Sequence, residues 1–154
     1  MHGIGQVRVF SARAEFPEAW RSFVAAGSGT NAPAALHLDL TEERFPHPQT
    51  PQGTRKITYV AIFARWPNES QVPPAPTFTG AALAGPDGTV NIDAFTKYKD
   101  DLPPEDGAGY NYILSSTTAT IEENLGAWTI TLQTGWPAGK DPEDFYIVVG
   151  HKLS

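Results

Sequence analysis

Cysteine is absent from this chain of 154 residues. Disulfides, thiolate metal sites and cysteine nucleophiles are therefore excluded. A chain of this length buries about two thirds of its unfolded surface on folding, so it needs no covalent crosslink. No linker or low-complexity segment divides the sequence, and we expect a single domain over residues 1–154.

Positive charge is also scarce. The chain has 11 lysines and arginines against 17 aspartates and glutamates, which gives a formal net charge of -6. The basic residues are scattered, and only Arg55 and Lys56 are adjacent. This balance argues against a nucleic-acid partner, which would need a basic patch. No apolar run approaches the roughly 20 residues that cross a bilayer, so we expect no membrane insertion by this domain.

The N-terminal segment lacks the arrangement of residues that marks a secretory signal. Residues 1–9 contain no basic stretch followed by an apolar one, and a signal peptide requires both in that order. We therefore expect no signal peptide, and the cellular compartment stays open.

Catalytic and metal-binding motifs are missing as well. The sequence has no Gly-x-Ser-x-Gly elbow, no phosphate-binding glycine loop and no closely spaced histidine pair. His37 and Asp39 share one face of a strand, but strict alternation there predicts a solvent-exposed polar face rather than a metal site. We expect no catalytic residue, no cofactor and no metal ion in the folded domain.

Acidic residues cluster in loops that are rich in proline and glycine. They are Asp100, Asp101, Glu105 and Asp106 in one region and Asp141, Glu143 and Asp144 in another. Paired carboxylates can hydrolyse glycosides or bind calcium at suitable separations. Charged loop residues are usually solvated, so a hydrolase and a weak calcium site are kept only as alternatives.

Glycine, proline and aromatic residues are abundant. The sequence has 14 glycines, 14 prolines, 4 tryptophans, 5 tyrosines and 8 phenylalanines. Turn formers between short β-rich runs are typical of many short strands connected by loops. Because strands and helices do not alternate, we predict an all-β fold: an antiparallel β-sandwich of about seven to nine strands with one short helix near residues 16–25.

One segment has the period of an amphipathic helix. Its apolar residues fall on a single stripe, as in a surface helix of a globular protein: Phe16, Trp20, Phe23 and Val24. Pro17 suits the first helical turn, and the Gly-Ser-Gly sequence at residues 27–29 ends the helix.

Two other segments have strand character. Residues 36–40 alternate strictly, so three leucines are predicted to face the core while His37 and Asp39 face water. Residues 57–66 are almost continuously apolar and β-rich. Such a run is typical of a central strand that is covered on both faces, and we predict this position for it.

Three features occur in an order that resembles a known family. They are Val7-Arg8-Val9 with Phe16-Pro17-Glu18-Ala19-Trp20, then Leu38-Asp39-Leu40-Thr41-Glu42-Glu43-Arg44-Phe45-Pro46, and then the basic-aliphatic run from Arg55 to Ala64. This order is similar to the β-sandwich module near the C-terminal end of Tc toxin A subunits and related bacterial toxin-complex proteins. The resemblance implies a non-catalytic module that docks a protein partner within a larger toxin-like assembly.

The resemblance covers part of the chain, roughly residues 7–65. Tc toxin A subunits are much longer than this chain, and the pore-forming and receptor-binding regions of those subunits have no counterpart in it. The resemblance therefore leaves open whether the chain is an excised fragment. Export as part of an assembly is one alternative for its localisation.

Aromatic side chains give a second functional prediction. Trp66 and Trp136 each precede a proline at the end of an element, where rings are often partly exposed, and Tyr110 and Tyr112 flank Asn111 beside an acidic loop. Aromatic rings with polar neighbours suit a protein interface or a sugar platform. These two tryptophans and two tyrosines are the predicted binding residues. A carbohydrate-binding β-sandwich is the alternative function, and capping of the core is the structural alternative for the same rings.

Overall fold

Residues 6–29, 33–45, 54–67, 81–93, 95–97, 113–132 and 135–153 are described by the computed structural model of the chain. The described residues form ten strands, two α-helices and one short 3-10 helix. The strands make two sheets in which neighbouring strands run antiparallel. The predicted all-β sandwich with a short helix is confirmed.

Sheet 1 contains the first and last described strands. Its members are β1 (Gln6–Ser11), β3 (Arg55–Arg65), β6 (Thr96–Lys97), β7 (Ile113–Thr117), β8 (Glu123–Asn124) and β10 (Asp144–Leu153). The order is β1-β10-β3-β7-β6, and β8 also pairs with β3. Strands β6 and β8 have two residues each, which is too short for a detectable alternation in the sequence.

Sheet 2 is smaller and carries the helix at one edge. It consists of β2 (Ala34–Leu40), β4 (Ala82–Gly85), β5 (Gly88–Val90) and β9 (Gly126–Leu132), in the order β2-β9-β4-β5. Helices α1 (Ala12–Glu15) and α2 (Pro17–Gly27) follow β1 in the chain, and α2 packs against the edge strand β2. A helix in this place shields the open edge of a sheet from pairing with another chain.

An aromatic cluster joins α2 to strand β10 of sheet 1 and to Trp136, which follows β9 in the chain. Phe23 of α2 has its ring centroid 5.2 Å from that of Phe145 on β10 and 5.3 Å from that of Trp136. Trp20 lies 5.4 Å from Phe145 in the same way. Trp20 and Phe23 are the buried aromatic residues of the helix and Pro17 begins it, as the periodicity predicts.

Strand β2 has the predicted register. Leu36, Leu38 and Leu40 are buried, whereas His37 and Asp39 are exposed. A slip of one residue would invert every side chain of the strand. The alternation therefore identified both the strand and its buried face.

Strand β3 is central, as predicted, but only one of its faces is fully buried. Val60, Ile62 and Ala64 are buried, and the residues between them are partly exposed. The prediction that both faces are covered is therefore wrong. A two-layer sandwich buries only the facing sides of its two sheets, and the other side of β3 belongs to the outer face of sheet 1.

A β-bulge in β3 explains why its apolar run does not alternate cleanly. Tyr59 pairs with Gly150 and Ile57 pairs with His151, so Thr58 has no counterpart on β10. An extra residue reverses the side-chain parity. Buried positions are accordingly odd-numbered before the bulge and even-numbered after it. Gly150 is needed at this point, because a Cβ atom there would collide with the Tyr59 ring.

The burial of β3 gives a stability prediction. Ile62 has no exposed surface, so we expect Ile62→Ala to lower the free energy of unfolding by about 2–5 kcal/mol, as large-to-small core changes do. Thr89→Ala, at an exposed position of β5, is the matched control and should change it by about 0.5 kcal/mol or less. Urea unfolding followed by tryptophan fluorescence measures both. Equal losses in the two variants would contradict the assignment of β3 to the core.

Candidate functional site

Trp66 and Trp136, which we predict from the sequence to be binding residues, are buried. Trp66 is 0% exposed and Trp136 is 1% exposed. The indole Nε1 of Trp66 donates to the carbonyl of Lys140 at 2.8 Å, and that of Trp136 donates to Asp141 Oδ1 at 2.8 Å. The expected partial exposure is therefore wrong. Both rings complete the core, and their only polar atoms are satisfied within the protein.

Trp136 also fixes the end of α2. Its amide donates to the carbonyl of Gly27 at 2.9 Å, and its carbonyl accepts from the amide of Gly29 at 2.6 Å. A Cβ atom on Gly27 would meet the Trp136 ring at 2.5 Å, so glycine permits the close approach. Tyr110 and Tyr112, the other two predicted binding residues, lie outside the described residues.

Carboxylates near the start of β10 have structural partners. Asp144 is 6% exposed, accepts from the amide of Arg13 at 2.9 Å, and also accepts from the Ser11 hydroxyl. Glu143 lies 3.8 Å from Arg65 in a half-exposed ion pair. These contacts attach β10 to the start of α1 and to β3. They supply no observation in favour of the hydrolase alternative.

The structure also bears on metal and membrane binding. Across the described ranges, no group of three or more histidine, aspartate or glutamate side chains is arranged to hold a metal ion. The acidic residues 100–106 lie outside these ranges. No helix in the described part of the chain is long and apolar enough to span a bilayer.

A groove of about 540 Å³ lies between the start of α2 and strand β2. Arg44 closes one side: its guanidinium carbon is 4.2 Å above the Phe16 ring, and its Nε donates to the carbonyl of Asp39 at 2.6 Å. Glu18 and Asp39 bring carboxylates to the lining. The groove can enclose an apolar group, but its arginine is already engaged by the protein.

A buried polar cluster interrupts the core of sheet 1. His151 is fully buried and Arg55 is 4% exposed. Arg55 Nη1 lies 2.7 Å from His151 Nδ1, and Arg55 Nε lies 2.9 Å from Glu42 Oε1. Arginine can only donate, so Nδ1 is the acceptor and the imidazole is neutral with its proton on Nε2. No atom of the described residues accepts from Nε2.

This arrangement resists protonation of the imidazole. Burial lowers the pKa of His151 below the usual 6.5, and the neighbouring Arg55 guanidinium lowers it further, while Glu42 opposes the shift. The Phe45 ring stands edge-on to the imidazole with the centroids 4.8 Å apart, so an aromatic side chain closes another side. Protonation of His151 would therefore bury a second positive charge beside that of Arg55.

The lowered pKa predicts a loss of stability in mild acid. Below about pH 6.5 the unfolded chain takes up a proton on His151 before the folded chain does. The free energy of unfolding should therefore fall as the pH drops through this range, by at most about 1.4 kcal/mol per pH unit for one proton. Urea unfolding between pH 7.5 and 5.5 measures the slope. His151→Gln should reduce it, and an unchanged slope in that variant would contradict the assignment.

The exposed large hydrophobic side chains of the described residues are on β1. Val7 is 55% exposed and Val9 is 49% exposed. Both face outward, next to Gly150 and Val148 of β10. Among the strands of the described residues, β1 lies at an edge of sheet 1. The alternation of the two valines indicates a strand, but only the strand order shows that they are accessible.

The two valines continue into an apolar surface on the outer side of sheet 1. We call this surface the outer-face patch, and it consists of Val7, Val9, Tyr59, Ala61, Phe63, Tyr146 and Val148. Beyond it, Lys56 and Lys152 lie directly opposite each other on the same face. Lys56 Nζ donates to the side-chain oxygen of Asn124, which is neutral, so both positive charges remain and an acidic group from outside would be favourable beside them.

Comparisons with known proteins add no family. No protein-family model matches the chain, and no curated protein matches it. Among solved structures, the chain is similar to one described as "The Structure of Tomato Aspermy Virus by X-Ray Crystallography", with 9% identity, coverage of 99% of this chain and 78% of that chain, and a TM-score of 0.33. A TM-score this low carries no argument. The resemblance to Tc toxin A subunits stays a prediction.

Proposed function

We propose that the chain is a non-catalytic docking module that holds a protein partner on the outer-face patch beside β1. The observation that carries the proposal is the exposure of Val7 and Val9, at 55% and 49%, on one face of an edge strand. Exposed apolar side chains that adjoin further apolar surface mark interaction sites. A partner of a larger toxin-like assembly is the class that the sequence resemblance implies.

The chemistry of the patch also supports one class of partner. Two valines and the partly exposed Val148 offer apolar contact, and Lys56 and Lys152 add positive charge at one border. A complementary surface is apolar at its centre and acidic at its rim. Apolar contact supplies affinity, and charges at the rim orient the partner.

A carbohydrate-binding module is the second candidate. Its support comes from three aromatic residues of the outer-face patch, Tyr59, Phe63 and Tyr146, which are partly exposed. Aromatic faces suit sugar rings. Tyr59 lies across Gly150, however, and the buried Trp66 and Trp136 no longer contribute to a platform. Protein docking therefore accounts for more of the exposed surface.

Site-specific photo-crosslinking tests the proposal. A crosslinking amino acid at Val9 should capture a protein in the source organism, whereas the same group at Thr89, an exposed position of β5, should not. The captured protein is then purified and titrated calorimetrically against the wild-type chain. Val7→Ser with Val9→Ser should weaken its binding about tenfold or more, because two partly exposed valines lose their burial in the interface.

The matched control uses exposed positions of sheet 2. Thr89→Ser with Ala84→Ser should leave the affinity unchanged, since both residues have exposed surface and lie on the paired strands β4 and β5, at the opposite edge of sheet 2 from β2. Thermal unfolding of both double variants checks that the fold is intact. An affinity that is insensitive to the valine substitutions would contradict the proposal, as would binding confined to a glycan array.

A further inference from the structure

The edge of β1 that pairs with no described strand has hydrogen-bonding groups that point away from sheet 1. The carbonyl of Val9 accepts from Nη1 of Arg8, and the amide of Ser11 donates to Oε2 of Glu15 at 2.9 Å. Alternate residues of an antiparallel strand direct their N–H and C=O groups to opposite neighbours. The backbone N–H and C=O groups of residues 7, 9 and 11 therefore point in the plane of sheet 1, away from β10. Side chains already bond two of these groups, the carbonyl of Val9 and the amide of Ser11.

Arg8 and Glu15 form one connected unit over this edge. Arg8 Nη2 is ion-paired with Glu15 Oε1, and the two side chains keep 30% and 29% of their surface exposed. Arg8 Nε donates to the carbonyl of Arg44 at 3.0 Å, and its guanidinium carbon lies 4.2 Å above the Phe10 ring. The unit thus gives the edge a donor, an acceptor and a carboxylate. These are the groups that an added strand with an acidic residue would supply.

We propose that β1 accepts a β-strand of the partner with the side-chain pattern apolar–acidic–apolar, which extends sheet 1 and takes over the contacts of Glu15. This inference rests on the proposed function and names the part of the partner that docks. The apolar residues would lie opposite Val7 and Val9 on the outer face. The acidic residue would lie opposite Arg8, on the face of sheet 1 that is turned away from Val7 and Val9. Opposite charges in such a cross-strand pair attract. Backbone hydrogen bonds to the edge complete the strand addition.

A second copy of the chain matches this edge less well. Strand β1 has the sequence Gln-Val-Arg-Val-Phe-Ser, which contains no carboxylate to set opposite Arg8 in any register. Pairing centred on Arg8 would place two guanidinium groups directly opposite each other, and such pairs repel. The net charge of -6 also disfavours association of identical chains.

Short peptides test the inference on the full chain. One peptide alternates valine with glutamate, and a second alternates valine with lysine. A third has the sequence of the first with an interior valine replaced by proline. We expect the glutamate peptide to slow amide hydrogen exchange at Val7 and Val9, measured by NMR. The lysine peptide should bind about fivefold or more weakly, because attraction to Arg8 becomes repulsion. The proline peptide should give no protection, since it cannot complete the ladder.

Two variants and a matched control test how the Arg8–Glu15 unit affects peptide binding, apart from any effect on folding. Glu15→Gln should tighten binding of the glutamate peptide about two- to fivefold, the range that loss of a competing, partly exposed ion pair allows. Glu18→Gln, at an exposed carboxylate of α2, is the matched control and should leave the affinity unchanged. Arg8→Gln should remove the preference for glutamate over lysine, and thermal unfolding verifies that each variant is folded.

Three results would overturn the inference. They are equal affinity for the glutamate and lysine peptides, binding without protection of the Val7 and Val9 amides, and concentration-dependent protection of these amides without peptide, which would identify a second copy as the occupant. If the affinity of the crosslinked partner depends on Val7 and Val9 but none of the peptides binds, strand addition is refuted and the docking function is not. Loss of that dependence would refute the docking function itself.

Discussion

The antiparallel pairing of β3 with β10 is the contact on which the rest of the molecule depends. Its register runs from Arg65 opposite Asp144 to Arg55 opposite Leu153. Strand β10 also carries β1 on its other side, and β3 also carries β7 and β8. A shift in this one register would therefore displace strands on both sides. It would also separate Phe145 from the rings of α2, through which the helix contacts sheet 1.

The bulge at Thr58 allows this pair of strands to build two different environments. Beyond it, alternate aliphatic residues of β3 face sheet 2. Before it, the reversed parity turns Arg55 inward, where it meets His151. Without the extra residue Lys56 would occupy the inner face in its place. The polar cluster in the core and the opposed lysines on the outer face therefore have one structural origin.

Sequence patterns identified the elements with a regular period, because periodicity is a local property. The leucines of β2 and the stripe of α2 are of this kind. Burial at the ends of elements depends on distant partners, so the sequence could not decide between partial exposure and capping of the core for Trp66 and Trp136, and both rings are buried. The unpaired residue Thr58 broke the period of β3 and hid its partly exposed face. Exposure of Val7 and Val9 follows from the strand order, which alternation cannot reveal.

The position of β10 between β1 and β3 has a consequence for biosynthesis. Strand β1 is the first and β10 the last strand of the described residues, yet the two are neighbours in sheet 1, and the contact between Ser11 and Asp144 spans 133 residues of sequence. Pairings between such distant segments form late, because the intervening chain must first be ordered. Until β10 has been synthesised, the segment that becomes β1 lacks the strand that pairs with it among the described residues. The residues of β1 are therefore accessible to other chains until β10 has been synthesised.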